Sequence, residues 1–234
     1  MLRNAQEEMP ERAQTALDLL SSDMRSFPSQ FLLFIPHVQQ LALDDRVAAT
    51  HRNLRVSSDR DSVITLEDGA TTERWVVRRI RHTPSPEAQK DAGELAGRDS
   101  VEIQWAVPMQ NRSKLGSFWA FFPTEARTTL SGIINAPWKL DDARRLLLEG
   151  RFNQELLTEV LPKLVAKDFQ KLAVDGEPAT ALDILPARGR EGRNWADDAI
   201  NEPIFDELRK VPSLPNCSMK SAARWSPRWT WPAS

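Results

Sequence analysis

An α+β fold, a mostly antiparallel sheet covered by helices on one face, follows from three features of the sequence. Val101, Ile103, Trp105 and Val107 alternate with Glu102, Gln104 and Ala106, the period of a strand with one buried face. Asp68-Gly69 lies between the apolar runs 63–66 and 75–77, a strong hairpin signal. Beyond Asp141 the period changes, and Leu146, Leu147, Leu157, Val160, Leu161, Leu164 and Val165 can form a helical apolar stripe. The sheet is therefore expected within residues 46–122 and the helices after Asp141.

The elements follow in order. Ala13, Ala16, Leu17 and Leu20 fall at helical spacing, and Phe27-Pro28-Ser29 offers a second start with Ser29 as N-cap, so two short helices open the chain. Strands begin at Arg46, and the hairpin's second strand ends at Thr83-Pro84-Ser85-Pro86. The polar residues 87–98 read as a short surface helix or a loop. Residues 118–122, apolar on both faces, read as one central strand that runs into a loop rich in Thr and Arg. Asp141 caps the helical region. Gly150 and Pro162 interrupt it, and since an interior proline costs a helix about 3 kcal/mol, two helices or a kink are expected. After residue 175 come Pro178, Pro186, Gly189, Gly192 and Pro203, with only 204–210 helical.

Four segments result: a helical start (1–26), an α+β domain (27–175), a small loop-rich C-terminal appendage (176–216), and an atypical basic tail (217–234), expected to be disordered. The tail carries Trp225, Trp229 and Trp231 with Lys220, Arg224 and Arg228 and no acid.

Composition excludes several classes. With 234 residues and 41% hydrophobic content the chain can bury a core. A net charge of -2 gives no global attraction to nucleic acid or an anionic membrane. One cysteine, Cys217, allows no internal disulfide and points to a reducing compartment, hence the cytoplasm. Arg3, Glu7, Glu8, Glu11 and Arg12 occupy the place of a signal peptide's apolar stretch. The most apolar run, 31–35, is far short of the roughly 20 residues that span a bilayer, so no membrane partner is expected.

Motifs are more often absent than present. There is no phosphate-cradling Gly-x-x-x-x-Gly-Lys loop, no Gly-x-Gly-x-x-Gly and no nucleophile elbow. His37, His51 and His82 lack ligand spacing for zinc. The pairs Asp44-Asp45, Asp141-Asp142 and Asp197-Asp198 suit caps and solvated turns, because adjacent helical residues diverge. A Gly-x-x-Gly core within residues 188–193 resembles a backbone clamp for nucleic acid, but Glu191 inside it repels phosphate. Together with Arg74, Arg78, Arg79, Arg81 and the tail tryptophans, which could stack on bases, it leaves nucleic acid a minor expectation.

The residues 118–140, FWAFFPTEARTTLSGIINAPWKL, carry the main functional clue. With Phe31-Leu32-Leu33-Phe34-Ile35 before them and Leu214-Pro215 after, they form an ordered set of blocks that resembles sacsin-like ATPases. These are a branch of the GHKL superfamily of gyrase, heat-shock chaperones, histidine kinases and mutator proteins. The likeness covers about residues 27–215, the region that follows the nucleotide-binding domain in that family.

The resemblance implies a transducer-like domain that couples nucleotide state to what lies downstream. The superfamily's acidic helix, its metal-holding asparagine, Asp-x-Gly-x-Gly and the glycine-rich lid have no counterpart in this chain. ATP and magnesium are implied only for a full-length protein, and the chain alone is not expected to be an active ATPase. The implied partner is an N-terminal ATP-binding domain, in cis or in trans, with nucleotide-gated homodimerisation common in the superfamily.

Such transducers send a basic residue to the γ-phosphate, where it stabilises charge spreading over phosphate oxygens. The candidates are Arg127, Lys139, Arg144 and Arg145, with Arg127 and Lys139 favoured because Arg144 and Arg145 read as solvated helix residues. Thr124, Thr128, Thr129 and Asn135 are expected to serve the loop's own hydrogen bonds. After 211–215 the family continues with a glycine turn and a strand that this chain lacks, so a truncated or frame-altered end is expected. The alternative is a stand-alone protein- or nucleic-acid-binding module derived from the same fold.

Overall fold

A computed structural model describes residues 2–45, 50–58, 63–172, 178–186 and 194–211. The arginine–glycine run 188–193, residues 212–216 and the tail 217–234 lie outside them. The fold is α+β, and among the described strand pairs all but one are antiparallel. The chain divides into two compact units, Met1–Arg74 and Trp75–Ser234.

The first unit holds α1 (Leu2–Ser26), a 3₁₀ turn (Ser29–Phe34) and the antiparallel strands β1 (Gln40–Asp45), β2 (Thr50–Ser58) and β3 (Val63–Asp68). The expected second helix is thus a 3₁₀ turn, entered from Pro28 without a side-chain cap. Burial of Leu32, Leu33 and Phe34 in succession leaves no polar face for a longer α-helix. Ser29 does not cap it and is itself buried. Strands begin at Gln40, earlier than residue 46. The Asp68-Gly69 turn leads into β4 (Thr71–His82), with Gly69 at φ +59, as expected of a tight hairpin.

Arg52 organises this unit. Its Nη1 donates to the carbonyls of Met24, Arg25 and Phe27 at 3.2, 3.1 and 2.7 Å, closing the C-terminal end of α1 where carbonyls lack intrahelical partners. Its Nε and Nη2 meet Asp68 Oδ1 and Oδ2 at 2.9 and 2.5 Å, a bidentate pairing. Those hydrogen bonds hold the Asp68 carboxyl below its ordinary range. A carboxyl lowered on folding contributes stability above its unfolded value, about 3.9, and loses it as pH falls through the folded value. Asp68→Asn is therefore expected to flatten the acid limb of urea midpoints measured from pH 6 to pH 2. Parallel curves for the two proteins would contradict the assignment.

In the second unit β4 continues to His82 and the strand order is β4-β5-β8-β6-β7. These are β5 (Val101–Pro108), β6 (Gly116–Ala120), β7 (Phe122–Thr128) and β8 (Ile133–Asn135), with β6 and β8 parallel. The sheet thus runs past residue 122 to Asn135. Ile103, Trp105, Phe118, Leu130 and Ile134 are fully buried, and Trp105 Nε1 donates to the Ser131 carbonyl at 2.9 Å. β5 buries both faces, because Gln104 on the second face accepts from Asn135 Nδ2 at 2.9 Å across β8.

Residues 118–122 are not one strand. Phe121 adopts φ +65 and turns the chain, its N–H donating to Asn135 Oδ1 at 2.7 Å, so that β6 and β7 form a hairpin. Phe121 and Phe122 are half exposed as a result.

The helix starts differ from those expected. α2 (Pro86–Asp91) is capped by Ser85, whose hydroxyl accepts from the Ala88 N–H. Asp141 caps no helix: its Oδ1 accepts from Arg145 and Leu146 N–H at 2.6 and 3.0 Å within a turn, and Leu146 is exposed, outside the apolar stripe.

The helical region begins at Arg151 and runs as α3 (Arg151–Glu155), a π-turn (Leu156–Val160) and α4 (Leu161–Asp168). The π-turn accommodates Pro162, which has no N–H and would crowd the preceding turn. Leu157, Val160, Leu161, Leu164 and Val165 are buried as the stripe requires. The last helix, α5 (Trp195–Lys210), is longer than the expected 204–210 and packs on α4 and β7.

Candidate functional site

The β6–β7 hairpin and the segment after β8 carry all four candidate cations. Thr124 Oγ1 donates to the Phe118 carbonyl at 2.6 Å and accepts from the Ala126 N–H, fixing the hairpin from within. Thr128 Oγ1, Thr129 N and Thr129 Oγ1 donate to Asp197 Oδ1 at 2.9, 2.7 and 2.9 Å. Thr124 and Asn135, which holds Phe121, serve the loop's own hydrogen bonds as expected, whereas Thr128 and Thr129 tie the loop to α5.

Along β7, Thr124, Ala126 and Thr128 face inward while Glu125 and Arg127 face solvent. Among the described residues no acid pairs with the Arg127 side chain, and its carbonyl accepts from Asn194 Nδ2 at 2.7 Å. The segment after Lys139 returns beside β7, where the Glu125 N–H donates to the Arg145 carbonyl at 2.8 Å. Arg145 Nη1 also lies 3.5 Å from Glu125 Oε1, but both side chains are largely exposed, so this pair contributes little.

Arg144 sits at the tip of that turn with φ +57, a left-handed conformation that costs a non-glycine residue about 1 kcal/mol. The turn holds it there. Arg144 N–H donates to the Asp141 carbonyl at 2.8 Å, Asp141 N–H to the Leu146 carbonyl at 3.0 Å, and Leu148 N–H to the Lys139 carbonyl at 3.0 Å. The Leu146 and Arg145 N–H groups keep the Asp141 carboxyl below its ordinary range. Arg144 itself is exposed, with no acid paired to it among the described residues.

Lys139 points elsewhere. Its Nζ binds Asp91 Oδ1 at 2.7 Å and the Asp91 carbonyl at 2.6 Å, half-buried. Asp91 Oδ2 accepts from the Phe152 N–H at 3.1 Å, so a carboxylate from α2 caps α3. Gly150, the local cap position, has no side chain to do so, and a Cβ there would run into that carboxylate oxygen. The Lys139 ammonium, then the Phe152 N–H, hold the Asp91 carboxyl below its ordinary range. The structure therefore leaves Arg127, Arg144 and Arg145 exposed on two segments joined by the Glu125–Arg145 backbone bond, and engages Lys139 in a structural ion pair.

A second cluster has no precursor in the sequence reading. His82 Nε2 lies 2.6 Å from Glu155 Oε1, the Ser85 N–H donates to the same oxygen at 2.9 Å, and the Ser85 hydroxyl donates to Oε2. The cluster borders a cavity of about 470 Å³ that Arg151, Gln154 and Thr158 also line. Burial would raise the Glu155 carboxyl, but the His82 and Ser85 hydrogen bonds outweigh it and hold it low. Here the carboxylate accepts the serine hydroxyl's hydrogen bond and the imidazole is bonded to the carboxylate rather than to the serine, so no histidine-activated nucleophile is assembled. None of these contacts was read from the sequence, since His82 and Glu155 lie 73 residues apart.

Among the described residues no group of three or more His, Cys, Asp or Glu could hold a metal ion, and no helix is long and apolar enough to cross a membrane. No family model, no curated protein and no solved structure matches this chain.

Proposed function

We propose that this chain is the transducer portion of a sacsin-like ATP-binding protein, acting in the cytoplasm with an ATP-binding domain supplied in cis or in trans. The observation that carries the reading is the surface formed by β7 and the 141–147 turn. It offers Arg127 and Arg144 without acidic partners among the described residues, on a backbone held by its own hydrogen bonds. A preorganised cation stabilises developing phosphate charge without reorganising during the reaction. Lys139 is already engaged by Asp91, which moves the weight of the proposal to Arg127 and Arg144.

The surroundings suit a protein partner that brings the nucleotide. Phe122 on β7 and Leu146 in the turn are each 50% exposed, and exposed apolar side chains together with arginine are the composition of protein interfaces. ATP and magnesium would belong to that partner domain.

Two experiments test the reading. The DNA upstream of Met1 is expected to encode, in frame, an acidic helix with its asparagine and a glycine-rich lid, whereas a true start site there favours the stand-alone binding module. Where the ATP-binding domain is present, Arg127→Ala and Arg144→Ala are each expected to lower kcat about tenfold or more with KM little changed. Unchanged turnover in both variants would remove the arginines from the reaction.

A further inference from the structure

We propose that the first turn of α5 positions both arginine-bearing segments and is the output arm through which their movement leaves the domain; this rests on the reading of Arg127 and Arg144 given above. Three side chains in that turn grip the two segments at once. Asn194 Nδ2 donates to the Arg127 carbonyl at 2.7 Å, and Trp195 Nε1 donates to the Leu147 carbonyl at 2.8 Å. Asp197, fully buried, takes the hydroxyl and N–H donors of Thr128 and Thr129 on Oδ1.

Asn194 does two jobs with one amide. Its Oδ1 accepts from the Ala196 and Asp197 N–H groups, both at 3.1 Å, as the N-cap of α5, while its Nδ2 holds β7. The start of the helix therefore cannot shift without pulling on the Arg127 peptide. The arginine turn is tied to β7 in its own right, by the Glu125 N–H to Arg145 carbonyl bond. Strand, turn and helix form a closed triangle of hydrogen bonds.

The helix converts a small displacement into a larger one. At 1.5 Å per residue the 16 residues of α5 span about 24 Å, so a tilt of about 10° at Asn194 moves the Lys210 end by about 4 Å. Ile200, Ile204 and Leu208 are buried on the face of α5 that packs on α4, so the motion is a shear along α4. Coupling between sites is reciprocal, and loosening either end of the triangle should be felt at the other.

Hydrogen–deuterium exchange on the full chain, without nucleotide, tests this. Asn194→Ser keeps a cap but removes the amide donor, and is expected to speed exchange over residues 125–129 by roughly fivefold, the loss of one net hydrogen bond. Trp195→Phe should do the same over residues 141–148. Asp141→Ala, which frees the arginine turn, should speed exchange over residues 195–200. In all three, β4 and β5 should keep wild-type rates.

Acceleration confined to the mutated element, or spread evenly over the chain, would overturn the proposal, and a variant that fails to fold leaves the other two to decide. Because no nucleotide enters this assay, its failure leaves the ATP-relay reading standing. Conversely, unchanged turnover in the arginine variants would leave the mechanical coupling intact.

Discussion

Asp197→Ala is expected to lower the unfolding free energy by about 3 kcal/mol. The carboxylate is fully buried, and Thr128 Oγ1, Thr129 N and Thr129 Oγ1 all donate to its Oδ1. Truncation removes the shared acceptor of three donors, of which Thr129 Oγ1 keeps Asn201 Oδ1 at 3.3 Å, and each buried group left unsatisfied costs about 1–3 kcal/mol before relaxation. Its Oδ2 is buried with no hydrogen-bond partner among the described residues; its place in the first turn of α5 puts the carboxylate near the positive end of the helix dipole. Asp197→Asn keeps one acceptor oxygen and should lose less. The exposed neighbour Asp198 is the control, with Asp198→Ala changing stability by less than about 0.5 kcal/mol. Urea unfolding followed by circular dichroism reads all three, and equal losses at positions 197 and 198 would contradict the account.

Gly132→Ala is expected to be at least as damaging, by about 3 kcal/mol or more, and to reduce soluble yield. Gly132 has φ +94, and a Cβ there would run into the Ala106 carbonyl oxygen and lie 3.2 Å from Val107 Cα. Both belong to β5, which pairs with β8 through Ala106 and Ile133, so neither can move aside without breaking the sheet. Gly69 gives the comparison. It too is left-handed, at φ +59, but a Cβ there meets nothing within 4 Å. Gly69→Ala should therefore cost only the backbone strain, about 1 kcal/mol. Similar losses at the two glycines would show that β5 yields to the added methyl.

What could be read from the sequence was local. The Asp68-Gly69 hairpin, the alternation of β5 and the stripe from Leu157 to Val165 each depend on residues within a few positions of one another. The Phe121 turn was not legible, because nothing in a run of apolar residues announces a left-handed phenylalanine, and its support, Asn135, lies 14 residues on. Asp141 has the composition of a helix cap and accepts N–H bonds as one would, yet the chain it serves is a turn, and Asp91 caps the helix that follows from α2.

The candidate site was legible in part for the same reason. The segment holding Arg127, Arg144 and Arg145 stood out in the sequence. The engagement of Lys139 did not, since its partner Asp91 is 48 residues away. Arg144 and Arg145 read as ordinary helix residues because the delayed start of α3 was hidden, and with it the strained, exposed conformation of Arg144.

The measurement that bears most directly on the central claim is calorimetric titration of this chain with ATP and magnesium. A transducer lever without the pocket that drives it should give no resolvable binding heat up to millimolar nucleotide. Saturable binding in the micromolar range would place a nucleotide site within these residues and contradict the account.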